Sequence, residues 1–105
     1  MSEPIVRVAQ GFFEPELFPE VEAKLHQGRA ALEPALRALS GLRHYYVSID
    51  LLSHSMVNVS VWDSVEAAEQ MNILREMLAQ RSAFEKMGVV FQPIRNYEGL
   101  WSVEP

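Results

Sequence analysis

The sequence contains no cysteine among its 105 residues. A disulfide framework, a thiolate zinc site, a cysteine nucleophile and an iron–sulfur cluster are thereby excluded. Glycine is scarce as well, with five residues scattered singly. There is no Gly-rich phosphate loop, no Gly-x-Ser-x-Gly elbow and no dinucleotide-binding fingerprint, which disfavours nucleotide cofactors and serine hydrolysis. Positive charge is sparse too. Nine Lys and Arg stand against fourteen Asp and Glu, the net charge is −5, and no basic cluster interrupts that acidity, so nucleic acid is not an expected partner. Nowhere do eighteen apolar residues run together, and Met1-Ser2-Glu3-Pro4 has no basic region leading into an apolar stretch. Neither a membrane span nor a secretory leader is expected, and the reading is a soluble, cytoplasmic chain. What is present is a 49% hydrophobic and 10% aromatic chain, enough for one domain over residues 1–105 and hardly for two.

Periodicity supplies the elements. Ile5 to Gln10 is β-branched and roughly alternating, and Gly11 ends it, which predicts a first strand. From Glu16 to about Leu39, Leu17, Val21, Leu25, Leu32, Leu36 and Leu39 recur at helical spacing with Gly28 on the same stripe, which predicts one long amphipathic helix. Pro19 suits its first turn, whereas Pro34 removes an interior donor and predicts a kink or break near Glu33. Ser40-Gly41 supplies the stop. Leu42–Ile49 and Met56–Trp62 read as two strands of an antiparallel hairpin. Asp63-Ser64-Val65-Glu66 has the form of a capping box, and Ser82-Ala83-Phe84-Glu85 offers a second before Gly88, so the second helical region reads as two helices in series. The span Val89–Val103 is β-prone, but Pro93 cannot donate to a ladder, which places the last strand at a sheet edge.

The order β-α-β-β-α-β is that of an α+β, ferredoxin-like split βαβ arrangement, an antiparallel four-stranded sheet with both helical regions on one face. Such a sheet has a second face, and the strands carry bulky apolar residues at both parities. Tyr45 and Tyr46 cannot both point to the helices. Leaving that face wet would expose several hundred Å² at about 25 cal/mol per Å², so a face-to-face homodimer is expected.

With Trp62-Asp63-Ser64-Val65-Glu66 joining the third strand to its helix, and with Tyr97-Glu98-Gly99-Leu100-Trp101 closing the last strand, the chain resembles the antibiotic-biosynthesis monooxygenase-like domains of the dimeric α+β barrel superfamily. The resemblance implies two sheets packed face to face, a cavity between sheet and helices in each subunit, and a chain end that reaches toward the partner. The cofactor-independent, quinone-forming oxygenases of that family use an Asn and a Trp four residues apart on one strand. That pattern matches Asn58 and Trp62, which share a strand face with Ser60 between them. The implied substrate is a small aromatic or quinol-type molecule that, once deprotonated, supplies its own electrons to O₂ without flavin or metal. Asn58 could donate to an oxyanion, and the Trp62 indole offers a flat wall and one N–H. The ordinary alternative has Trp62 filling core space and Asn58 bonding a backbone group. The oxygenases also carry a tyrosine early in the second helix, where this chain has Val65, Ala67, Ala68 and Met71. Haem-degrading relatives carry an axial His ten residues after the strand Trp, and here that position is Asn72, so no haem is expected.

Other residues complete the candidate set. His44 is the one His considered as a general base for a phenolic proton. Tyr45, Tyr46 and Tyr97 are candidate substrate contacts from strands. Among Arg7, Arg43 and Arg95, each able to hold a carboxylate or phenolate, Arg95 is the first choice because the last strand lines the cavity mouth in look-alikes. Met71, Met77 and Met87 are spaced like a helical stripe, and Met71 is taken as a pocket wall. His26, His44 and His54 form no metal-binding spacing, so no metal and no cofactor are expected. A non-catalytic small-molecule-binding dimer is the alternative function.

Overall fold

The computed structural model describes residues 3–105. Its strands are β1 (Ile5–Phe12), β2 (Leu42–Asp50), β3 (Ser55–Trp62), β4 (Val90–Phe91) and β5 (Arg95–Glu98). Its helices are α1 (Phe18–Arg37), α2 (Val65–Glu69) and α3 (Arg75–Met87). The sheet runs β2-β3-β1-β4 with β5 also on β1, and all pairs are antiparallel. This is the ferredoxin-like α+β arrangement that the element order predicts.

Several local expectations are corrected. The helix α1 is not broken at Pro34. The proline sits one turn from the end, where Leu36 is buried in the core, and Glu33 accepts from both Arg29 (2.8 Å) and Arg37 (3.0 Å) across the missing backbone bond. The cap of α2 is Ser64 rather than Asp63, its Oγ accepting from Ala67 N–H at 3.1 Å. Asp63 is engaged instead by Arg43 Nε at 2.6 Å. The second helical region does divide in two, but a 3₁₀ turn at Gln70–Asn72 makes the division, and Ser82–Glu85 lies inside α3. Gly88, with φ of 106°, closes α3 in the left-handed conformation that glycine adopts without strain. The last strand is two short ones split around Pro93 and ends at Glu98, so residues 99–105 lie outside the sheet.

Cross-strand register sorts every residue to a face. Toward the helices stand successive rows: Leu42, Trp62, Ile5; then Tyr45, Ser60, Arg7; then Val47, Asn58, Ala9; then Ile49, Met56, Gly11. The opposite face carries His44, Val61, Val6, Tyr97 and Tyr46, Val59, Val8, Arg95. A bulge between Leu42 and His44 makes this possible. It inserts one residue, Arg43, so that Leu42 and Ile49 face inward despite their odd separation, and it turns Tyr45 rather than Tyr46 toward the helices.

The core divides into two clusters at opposite ends of the sheet. One gathers Ile5, Leu36, Trp62, Ala68 and Met71, and the other Phe13, Val21, Met56, Phe84 and Val89. The two middle rows, with small or polar residues on β1 and β3, lie between them.

Candidate functional site

That interval is a cavity of about 340 Å³, with Arg7, Ala9, Tyr45 and Val47 as its floor and Met71, Phe84 and other side chains of the helical layer as its roof. The fold creates it by default: Ala9 and Ser60 are too small to fill the space above the middle rows, and the two clusters hold the layers apart. Its walls are predominantly apolar, from Leu25, Leu32, Met77, Leu78, Phe91 and Ile94 among others.

The polar groups in this apolar space are few. Arg7 is only 3% exposed, and its Nη2 donates to Asn72 Oδ1 at 3.0 Å. Among the described residues no carboxylate lines the cavity, whereas a second guanidinium, Arg81, does, its Cζ lying 4.8 Å from the Phe91 ring centre. Burial pulls the Arg7 guanidinium below its ordinary range, Tyr45 opposes that pull, and Arg81 adds to it. Burial likewise pushes the Tyr45 hydroxyl up to about 12, with the charge of Arg7 opposing.

A neutral Tyr45 gives a measurable pH dependence. Its ordinary value is 10.0, so below that pH both folded and unfolded chains keep the proton and stability is unaffected. Above it the unfolded chain ionises first, and stability is lost as pH rises toward about 12. We expect the loss to reach about 1.4 kcal/mol near pH 11 and to vanish in Tyr45→Phe, measured by urea unfolding of both proteins.

The structure places the sequence-predicted residues unevenly. Tyr45 and Met71 line the cavity, and Met77 joins them, while Met87 packs with the other cluster. Asn58 sits between Val47 and Ala9 in a lining row, and its Oδ1 is sealed from solvent with no hydrogen-bond partner. Trp62 is wholly buried, and its indole N–H is already donated to Ser60 Oγ at 2.8 Å, so it supports the cavity from the adjoining row and has no free donor. His44, Tyr46, Arg95 and Tyr97 stand on the other face. His44 and Tyr46 stack at 6.0 Å between ring centres beside an outer groove of about 880 Å³ between α1 and β2, and the bulge at Arg43 is the reason for their exclusion. Pairing of β5 with β1 puts Arg95, the first choice among the arginines, opposite Val8 on the side away from the helices, whereas Arg7 lines the cavity. Asn72 and Arg81 were not singled out as ligand contacts, since neither belongs to a spacing motif. Among the described residues no three His, Asp or Glu side chains converge as metal ligands would.

No known family's sequence profile matches the chain, and no curated protein matches it. Solved structures do. A Deinococcus radiodurans protein assigned to the antibiotic biosynthesis monooxygenases is 21% identical, with 97% of each chain covered and a TM-score of 0.69. A Shewanella oneidensis protein is 17% identical, covers 94% of this chain and 93% of its own, and has a TM-score of 0.71. SnoaB of Streptomyces nogalater, a cofactor-independent oxygenase, is 12% identical over 99% of this chain and 100% of its own, with a TM-score of 0.66. The chain therefore has the fold of the antibiotic biosynthesis monooxygenase-like domains. At these identities the likeness is one of fold.

Proposed function

We propose that the cavity is a small-molecule site and that the chain is a cofactor-independent monooxygenase acting on an aromatic or quinol-type substrate. The observation that carries this reading is the cavity itself, a predominantly apolar space of about 340 Å³ that fits a molecule of two or three rings. The fold shared with a cofactor-independent oxygenase supports the chemistry. In the simplest form of that reaction an acidic ring methylene becomes a carbonyl, one oxygen atom of O₂ entering the product and the other leaving as water. Among the described residues the lining includes Arg7, Tyr45 and Arg81 but no His, Asp or Glu that could serve as an ordinary base. The protein's contribution is then to favour the substrate's ionised form by the field of two guanidiniums, and to offer the Nδ2–H₂ of Asn58 as a donor to a developing oxyanion, while its partnerless Oδ1 could accept from a substrate hydroxyl.

The absence of a neutral-pH base from that lining also favours a second reading, a non-catalytic binding domain. Oxygen uptake with a panel of anthrones, hydroquinones and flavonoid-like phenols separates the two. For the oxygenase we expect uptake by the parent and a loss of about 10²- to 10³-fold in Asn58→Ala. The melting temperature should be unchanged or higher, because the variant deletes a buried oxygen with no partner. Ligand-induced stabilisation without uptake would instead establish the binding domain.

The outer sheet face belongs to the same proposal. Val6, Val8, Val57, Val59 and Val61 line its two central strands, with Tyr46 and Tyr97 half exposed at the flanks. Two copies packed on this face would complete a dimeric α+β barrel. Leu100, Trp101 and Val103, each at least 72% exposed on the segment beyond β5, would find cover on the second copy.

A further inference from the structure

We propose that the molecule held in the cavity carries one planar oxyanion, a carboxylate or an ionised enol or phenol, and that Arg7 is its anchor. This rests on the reading of the cavity as a small-molecule site and adds the ligand's charge and its point of attachment.

The reasoning begins with an imbalance. The chain is acidic overall, yet the cavity wall holds two guanidiniums and no carboxylate. Arg81 reaches the surface, where Glu85 lies 3.7 Å away. Arg7 has no such outlet: it is 97% removed from solvent, and among the described residues its one side-chain partner is the neutral Asn72 amide. A guanidinium has five N–H donors in a planar fork, and a buried cation without a counter-charge lowers stability. A planar oxyanion on a ligand would satisfy both charge and fork geometry. Tyr45, two strands across in the same row and protonated at neutral pH, would add a neutral O–H donor. Asn72, which also lines the cavity, accepts from the guanidinium and so acts as a positioning residue.

The test uses 1-naphthoic acid, 1-naphthol and the uncharged 1-naphthalenemethanol, titrated calorimetrically into the parent, Arg7→Met and Arg7→Lys. We expect the parent to prefer the acid over the neutral alcohol by about 10- to 100-fold, the range of one hydrogen-bonded charge. Naphthol should join the acid only at a pH where it ionises, which separates the carboxylate from the phenolate. Arg7→Met should lose most of that preference, with only Arg81 left in the wall, and Arg7→Lys should keep the preference for anions with a weaker hold. Without any ligand, Arg7→Met should melt no lower than the parent, because it removes an uncompensated charge while keeping most of the volume. Equal binding of acid and alcohol by the parent would overturn the anchor while leaving the small-molecule cavity intact. If no probe binds, the cavity reading fails on its own account, and the melting comparison decides Arg7: a lower melting temperature in Arg7→Met overturns the proposal, and an equal or higher one upholds the unpaired charge on which it rests.

Discussion

Trp62→Ala is expected to destabilise the chain by about 3–5 kcal/mol, a large share of the roughly 5–15 kcal/mol that holds a domain of this size. The indole is fully buried between Ile5, Leu36, Ala68 and Met71, at the point where α1, α2 and two strands meet. Its removal leaves a void that those neighbours can close only in part, and it also strips the Ser60 hydroxyl, itself buried, of its partner. Trp62→Phe isolates the second effect: most of the volume returns, while the N–H to Ser60 is gone. That variant should lose about 1–3 kcal/mol. Ser60→Ala should cost a similar amount, and the double variant should lose less than the sum of the two, because each single change leaves the other group unsatisfied. Urea unfolding of the parent and the four variants is the measurement. Trp62 acting mainly as a ligand contact would show up as near-parental stability in Trp62→Phe, and that result would overturn the structural role assigned here.

The same residue shows how far sequence reasoning reaches. Alternation of Asn58, Ser60 and Trp62 was enough to put all three on one face, and register confirms it. The order of elements and the position of the last strands at the sheet edge were also legible, since both follow from hydrophobic period and from glycine and proline chemistry, whereas the second helical region divides at Gln70–Asn72 and not at the Ser82 capping box. What could not be read is which face Tyr45 and Tyr46 take. Counting in twos from Leu42 sends Tyr46 inward, whereas counting back from Ile49 sends Tyr45 inward. The bulge at Arg43 resolves the conflict, and the Arg43 it sets aside pairs with Asp63, a residue distant in sequence just beyond the end of β3. The placement of Arg7 and Arg95 was hidden for a related reason. Both are strand arginines in β-branched surroundings, and only the β5–β1 register, set by the break at Pro93, shows that they lie on opposite faces. The cavity itself is a property of what the middle rows lack, and no local pattern announces an empty volume.

Val59→Glu is expected to convert a dimer into a monomer. Val59 lies near the centre of the outer face, between Tyr46 on β2 and Val8 on β1. In a single chain that face is open, so a glutamate there can reach water and the fold should survive, with an unchanged far-ultraviolet circular dichroism spectrum. In a face-to-face pair the two carboxylates would be buried near the symmetry axis, each without a counter-ion. Leaving one charge buried and unpaired costs about 3–5 kcal/mol, and two-fold symmetry applies the penalty twice. That exceeds what an interface of ordinary size can absorb at micromolar protein. Tyr97→Glu, at the flank of the face, should weaken association far less, since its carboxylate can stay at a wet rim. Sedimentation velocity over a concentration series checks the set. A parent that sediments as a monomer, or a Val59→Glu protein that remains a dimer, would show that the valine face is not where two copies meet. The exposed Leu100, Trp101 and Val103 would then be the apolar surface still in need of a partner.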